Sequence, residues 1–206
     1  MSLSRGSWGL CHVVSDNKLG SCVGIEDGPF LPRRLGGSRA PLVVAKLDGP
    51  HLVSVRAGWI KVDGLDGTDR ALKLLSTLSL TECPILLAGA TFGGFNLIDP
   101  RKLQNRFRTP TIVVVGSRPD NNAVKRALVR HFSDWRERWS VIRSLGPLRS
   151  VRTVASENPV CYEAFGCSSV DARNILKGWA LVSRVPEPLR VAGLVARGLF
   201  PAQPVG

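Results

Sequence analysis

The sequence predicts one α/β domain built on a mixed sheet with helices on both faces. Three observations point there. The runs Pro84–Ala90 (PILLAGA) and Thr111–Val115 (TIVVV) are continuously apolar, as in strands buried on both faces. Upstream, the turn Asp48-Gly49-Pro50 separates two longer strand-like segments, which reads as a hairpin. From Asp69 onward, segments with helical spacing alternate with strands. The 206 residues are the length of a single domain, 1–206, large enough to bury a core without a disulfide or a structural metal.

In chain order, Leu19–Ile25 reads as a short buried strand, and Glu26-Asp27-Gly28-Pro29 ends it because Gly-Pro cannot continue a ladder. Leu42–Leu47 is the second strand and the loosely alternating His51–Val62 the third. Asp63–Thr68 is a polar, glycine-bearing loop. Asp69–Leu78 then places Leu72, Leu75 and Leu78 at helical spacing. Pro84–Ala90 is the fourth strand, Thr91–Asn96 a glycine-rich turn, Asp99–Phe107 a short helix and Thr111–Val115 the fifth strand. Pro119-Asp120 opens a long helix, with proline near its first position and an acid favourable to the dipole. It is expected to run to about Leu145, with a break near Ser133-Asp134, and to stop at Gly146-Pro147. A strand at Val160–Phe165 and helices at Ser169–Ala180 and Pro186–Leu199 complete the chain. The resulting β-β-β-α-β-α-β-α order is that of ribonuclease H-like domains.

Net charge is +12, and its placement matters more than its size. Residues 101–152 hold 13 Lys/Arg against three acids, whereas residues 1–100 hold 10 against nine and residues 153–206 five against four. A basic excess concentrated in one segment points to a polyanion, because Lys and Arg neutralise phosphates and release condensed counterions. Arginine supplies 21 of the 28 cations, which suits bidentate phosphate contacts.

Other classes find no support. The five cysteines (Cys11, Cys22, Cys83, Cys161, Cys167) are odd in number and lack C-x-x-C spacing, which argues against zinc and suits a reducing compartment. Met1–Val14 lacks the basic region and apolar stretch of a signal peptide, and no apolar run approaches a membrane span. A cytoplasmic protein with no membrane partner is expected. Gly89–Asn96 (GATFGGFN) is not a phosphate-binding P-loop, and His12, His51 and His131 are scattered. No Ser-His-Asp or Cys-His set is evident, and no motif supports a small-molecule enzyme.

Carboxylates cluster where a metal site would want them. Glu26 and Asp27 end the first strand, and Asp63, Asp66 and Asp69 lie in VDGLDGTD before the first helix. Mg²⁺ binds one or two carboxylates plus water and substrate phosphate, and such ions stabilise the attacking and leaving oxygens of a phosphodiester. VDGLDGTD admits a second reading as a turn with a helix cap, since Asp and Gly are turn residues. Its spacing is not that of an EF-hand.

The segments GIEDGPF, VDGLDGTD, ILLAGATFGGFNLIDP, PTIVVVGSRPDNNAVKRAL and SRVPEPLRVAGLVARGL resemble the archaeal endonuclease dU family across most of residues 19–200, leaving 1–18 as an N-terminal extension. That family is similar to endonuclease V, and Arg184–Ala192 (RVPEPLRVA) is close to the R-x-P-E-P-x-R-x-A ending of endonuclease V. The resemblance implies a ribonuclease H-like fold and Mg²⁺-dependent (or Mn²⁺-dependent) cleavage of nucleic acid near deaminated bases. The strand-one aspartate of endonuclease V falls on Glu26 or Asp27, and its second carboxylate near Asp69. Its third falls on Ala88, which cannot bind a metal, and its late histidine falls on Cys167. Asp63, Asp66 or Asp99 are the acids left to substitute.

Two functions are therefore carried forward. One is an endonuclease acting on DNA with deoxyuridine or another deaminated base. Glu26, Asp27 and Asp69 would be catalytic, and Asp63 and Asp66 are further metal candidates. Arg101, Lys102, Arg106, Arg108, Arg118, Lys125, Arg126 and Arg190 would contact nucleic acid. The other is a non-catalytic nucleic-acid-binding or repair-associated protein on the same fold.

Overall fold

The computed structural model describes residues 19–199; the expected extension 1–18 lies outside the described residues. Strand β1 (Ser21–Asp27) pairs antiparallel with β2 (Arg39–Asp48), which pairs antiparallel with β3 (His51–Lys61) across the expected turn. A 3-10 turn at Arg33–Leu35 joins β1 to β2. After α1 (Gly67–Leu75), strand β4 (Ile85–Leu87) lies parallel to β1. A small hairpin of β5 (Thr91–Phe92) and β6 (Asn96–Leu97) follows, then α2 (Pro100–Phe107) and β7 (Thr111–Val115), parallel to β4. Helices α3 (Asn121–His131) and α4 (Trp135–Arg143) lead to the edge pair β8 (Arg149–Val151) and β9 (Val160–Phe165). Helices α5 (Ser169–Gly178) and α6 (Glu187–Gly198) end the domain. The seven-stranded sheet runs β3-β2-β1-β4-β7-β9-β8.

Strand periodicity sorts the core into two layers, because successive side chains point to opposite faces. Leu42 and Val44 of β2 join Val23, Ile25 and Leu87 against Ala71 and Leu75 of α1 and Leu103 of α2. Val43, Ala45 and Leu47 join Cys22 and Leu86 against Leu176 of α5 and Leu189 and Ala192 of α6. Helices therefore cover both faces, as expected. Helix α6 approaches β1 closely: a Cβ on Gly24 would lie 2.2 Å from the Pro188 carbonyl carbon, and one on Gly28 2.4 Å from the Ala196 oxygen.

Three local expectations are corrected. The fourth strand pairs only over Ile85–Leu87, and the chain leaves the sheet before Gly89, at φ 103°. The glycine-rich turn is the β5–β6 hairpin, reversed by Gly93 and Gly94 at φ 53° and 89°. The expected break in the long helix is present: Phe132 is extended, and Asp134 occupies the N-cap position of the second helix. Asp120, not Pro119, forms the start of α3: it is the N-cap and accepts from the Asn122 and Ala123 N–H groups at 3.0 Å. Asp99 caps α2 in the same way, and Ser168 with Asp171 forms a capping box on α5, each worth about 1 kcal/mol. Edge strand β8, with sequence RSV, is too short and polar for its periodicity to be read. Among the described residues no helix is long and apolar enough to cross a membrane.

Candidate carboxylate site at the end of the first strand

Glu26 and Asp27 are the last two residues of β1, so strand alternation directs them to opposite faces. Glu26 points toward α6, where Gly193 leaves room for it: a Cβ there would lie 3.2 Å from Glu26 Cγ. Asp27 points the other way, and its Oδ2 accepts the Gly93 N–H at 2.6 Å. At the strand end the two acids remain in contact, with the Asp27 N–H donating to Glu26 Oε1 at 3.3 Å. Burial pushes Glu26 up to about 8; the Asp27 charge and a hydrogen bond between the two side chains add to this, while Arg197 opposes it. Burial also raises Asp27, against the lowering effect of the Gly93 N–H and of Glu26. The end of β1 thus holds two adjacent acids that resist ionisation.

Parallel pairing sets Ile25 against Leu87, and the Ala88 N–H donates to the Ile25 carbonyl at 3.1 Å. Ala88 therefore flanks Glu26 on the neighbouring strand, packed with the cluster beneath α5 and α6, and Cys167 packs on the same cluster. The two positions that depart from the endonuclease V pattern face the same layer as Glu26, and they carry a methyl group and a thiol.

The loop VDGLDGTD is bound to the β5–β6 hairpin. Asp63, at φ 55°, accepts the Phe95 N–H at 2.9 Å and donates its own N–H to the Gly93 carbonyl at 2.8 Å. Asp66 accepts from the Lys61 N–H at 3.1 Å and from Asn96 Nδ2 at 2.7 Å. Asn96 is fully buried and accepts the Gly67 N–H at 2.9 Å. Asp66 occupies the N-cap position of α1 without a side-chain capping bond. Asp69 is exposed in the first turn of α1, and Asp99 is committed to capping α2. The structure brings Glu26 and Asp27 together and joins Asp63 to Asp27 through Gly93. Among the described residues no three His, Cys, Asp or Glu side chains gather as a metal ion would require.

A buried guanidinium organises these loops. Arg138 of α4 donates to Asp134 through Nε and Nη2, both at 2.8 Å. It also donates to the carbonyls of Gly64 (2.9 Å), Phe95 (2.7 Å) and Asp63 (3.0 Å). Its guanidinium carbon lies 4.3 Å from the Phe132 ring centre, and Phe132 meets Phe95 edge-on at 5.5 Å. The Arg138 guanidinium holds the Asp134 carboxyl below its usual range. The sequence counted Arg138 only as one cation of a basic segment; the local hint was its i,i+4 spacing from Asp134.

The other basic candidates divide by environment. Arg101, Lys102, Arg106, Arg108, Arg118, Lys125 and Arg126 are all exposed. Arg101 also donates to the Ser144 carbonyl at 3.0 Å and lies over the Phe165 ring, and Lys125 lies over Trp139. Arg190 is partly buried and paired bidentately with Glu187 at 2.8 and 2.6 Å.

Three antiparallel strands continued by parallel β4 and β7, with helices on both faces, constitute the ribonuclease H-like fold of endonuclease V. A Ciona intestinalis endonuclease V (D234N) in complex with a 23mer DNA containing an inosine followed by a ribo-adenosine matches with a TM-score of 0.57 and 17% identity, over 86% of this chain and 84% of that one. A protein of unknown function from Archaeoglobus fulgidus matches with a TM-score of 0.76 and 24% identity, over 89% of this chain and all of that one. Within the fold, residues 20–200 match the endonuclease dU family, and the chain belongs to that family. A UPF0215 protein of Methanothermobacter thermautotrophicus is 36% identical over 181 residues, 86% of each chain.

Proposed function

We propose that this chain is a divalent-metal-dependent endonuclease that cuts DNA carrying deoxyuridine or another deaminated base, with a role in DNA repair. Membership of the endonuclease dU family supports nuclease action on nucleic acid. The related endonuclease V bound to inosine-containing DNA supports a deaminated base in the substrate.

The observation that carries this reading is the Glu26–Asp27 pair. Two adjacent acids shielded from water resist ionisation, and a cation relieves both the burial and the repulsion. Mg²⁺ needs only one or two protein carboxylates, so this donor set fits it, and Mn²⁺ shares the oxygen preference. Glu26 and Asp27 would hold the ion. When bound, the ion supplies charge stabilisation to the oxygens of the reacting phosphodiester. The exposed cations of α2, of the segment before α3 and of α3 would bind the backbone.

A second reading, a nucleic-acid-binding protein that does not cut, is favoured by one observation. Ala88 stands beside Glu26 where the endonuclease V pattern has a third carboxylate. Incubating labelled uracil-containing, inosine-containing and unmodified strands with Mg²⁺, Mn²⁺ or chelator separates the two. Metal-dependent cleavage of a modified strand supports the nuclease. Binding without cleavage under every condition rejects it in favour of the second reading.

A further inference from the structure

At the same end of the sheet, the 3-10 turn after β1 and the open end of the β2–β3 hairpin enclose a groove of about 530 Å³. Three of its lining side chains are the cations Arg33, Arg39 and Lys61, and one is the acid Asp63. We infer that this groove is a phosphate subsite that takes a backbone phosphodiester of the bound nucleic acid, next to the Glu26–Asp27 pair. The inference rests on the nucleic-acid reading above and adds where the strand is held.

The charge arrangement is unbalanced by the fold itself. Arg39 and Lys61 are cross-strand partners in the β2–β3 register. Residues directly opposite on antiparallel strands have Cβ atoms roughly 5 Å apart, and like charges there are destabilising. Neither they nor Arg33 form an ion pair among the described residues, and all three are exposed. Asp63 does not neutralise them fully: it is one charge against three, and its Oδ1 is engaged by the Phe95 N–H. An anion bridging the three cations relieves the repulsion, and guanidinium forks match phosphate geometry.

The groove is also built rather than incidental. The turn carrying Arg33 closes on itself, with the Gly37 and Leu35 N–H groups both donating to the Pro32 carbonyl, at 3.2 and 2.8 Å. A Cβ on Gly37 would fall 1.5 Å from the Leu31 oxygen, so only glycine lets this turn form. The opposite wall joins the carboxylates through one residue: the Asp63 N–H donates to the Gly93 carbonyl, and the Gly93 N–H donates to Asp27. A phosphate in the groove therefore lies beside Asp63, which is linked through Gly93 to Asp27.

The test compares the full-length protein with the triple variant Arg33→Ala/Arg39→Ala/Lys61→Ala. A control, Lys73→Ala/Arg173→Ala/Lys177→Ala, loses the same charge at exposed positions elsewhere. Binding to a fluorescein-labelled uracil-containing DNA duplex is titrated from 50 to 200 mM salt. One to two lost phosphate contacts make the slope of log K against log salt shallower by roughly 1 to 2. We expect that change, with at least tenfold weaker binding at low salt, for the groove variant and not for the control. The groove variant should melt no lower than wild type, since it loses a like-charge pair. Should it melt lower, the milder Arg33→Gln/Lys61→Gln variant carries the same comparison, again with a shallower slope expected. A groove variant indistinguishable from wild type or from the control overturns the subsite while leaving the nucleic-acid reading standing. Wild-type protein that binds no duplex at 50 mM salt overturns both.

Discussion

The Gly93 N–H and the Asp27 carboxylate, 66 residues apart in the chain, meet at 2.6 Å. This bond fixes the second of two neighbouring acids from the side opposite α6 and brings the VDGLDGTD loop to it through Asp63. Asparagine at position 27 retains an oxygen for Gly93 and removes one charge of the pair. Asp27→Asn should therefore melt no lower than wild type without divalent ions. Its cleavage of uracil-containing strands should fall by orders of magnitude while salt-sensitive binding persists. Mg²⁺ or Mn²⁺ should raise the wild-type melting temperature, by about 2.7 kcal/mol of stability at a hundredfold excess over Kd. Unchanged cleavage in the variant removes Asp27 from the chemistry.

Stability should fall as pH rises through neutrality in chelator. Burial raises Glu26 to about 8 and Glu163 to about 7. A carboxyl with a raised pKa in the folded state holds its proton more tightly there than in the unfolded chain. Its contribution is complete below the unfolded value near about 4.3 and is lost as pH climbs through about 7 and 8. Melting temperatures measured from pH 5 to 8.5 should decline. Glu163→Gln should flatten the decline below about pH 7, and Glu26→Gln should flatten it throughout, above about pH 7 included. Gln variants with the wild-type profile would contradict both assignments.

Arg138→Ala should be among the most damaging substitutions in the basic segment. It strips hydrogen bonds from three carbonyls and leaves Asp134 without its cation. Asp134 stays partly exposed, so the cost comes chiefly from the carbonyls left unsatisfied, about 1 to 3 kcal/mol. Arg138→Lys should recover little, because one ammonium cannot reproduce the planar fork. Urea denaturation measures both, and a loss under about 1 kcal/mol for the alanine variant would remove the clamp role.

Duplex DNA binding should weaken steeply with salt. If six phosphates are contacted, the slope of log K against log salt is roughly −5. Lys102→Ala and Arg126→Ala, both exposed, should each make it shallower by about 0.9 if they touch phosphate. Arg190→Ala separates two roles. Reduced binding by folded protein places Arg190 at the nucleic acid, and lowered stability with unchanged binding leaves it as the partner of Glu187.

Much of the fold was legible because it is encoded in local patterns. Continuous apolar runs marked β4 and β7, which lie inside the sheet between helical layers, and Asp48-Gly49-Pro50 marked the β2–β3 turn. The Pro119-Asp120 pair marked the start of α3, where Asp120 is the N-cap. Where the pattern was too short, as in β5, β6 and the polar β8, the local signal could not outweigh a loop reading.

At the site, the sequence by itself determined which chemistry was available: adjacent acids ending the first strand, a second acidic run before the first helix, and a concentration of arginine after residue 100. Only the tertiary structure decided how each was used. It drew Asp63 and Asp66 into bonds with residues 32 and 30 positions away, and Arg138 into bonds spanning up to 75. It also set Arg39 opposite Lys61 and brought Arg33 to the same groove, from a half of the chain whose net charge is only +1. The reason is physical. Periodicity and capping act over one or two turns of chain, whereas burial, charge proximity and hydrogen-bond partnership depend on distance in space, which strand register and helix docking set.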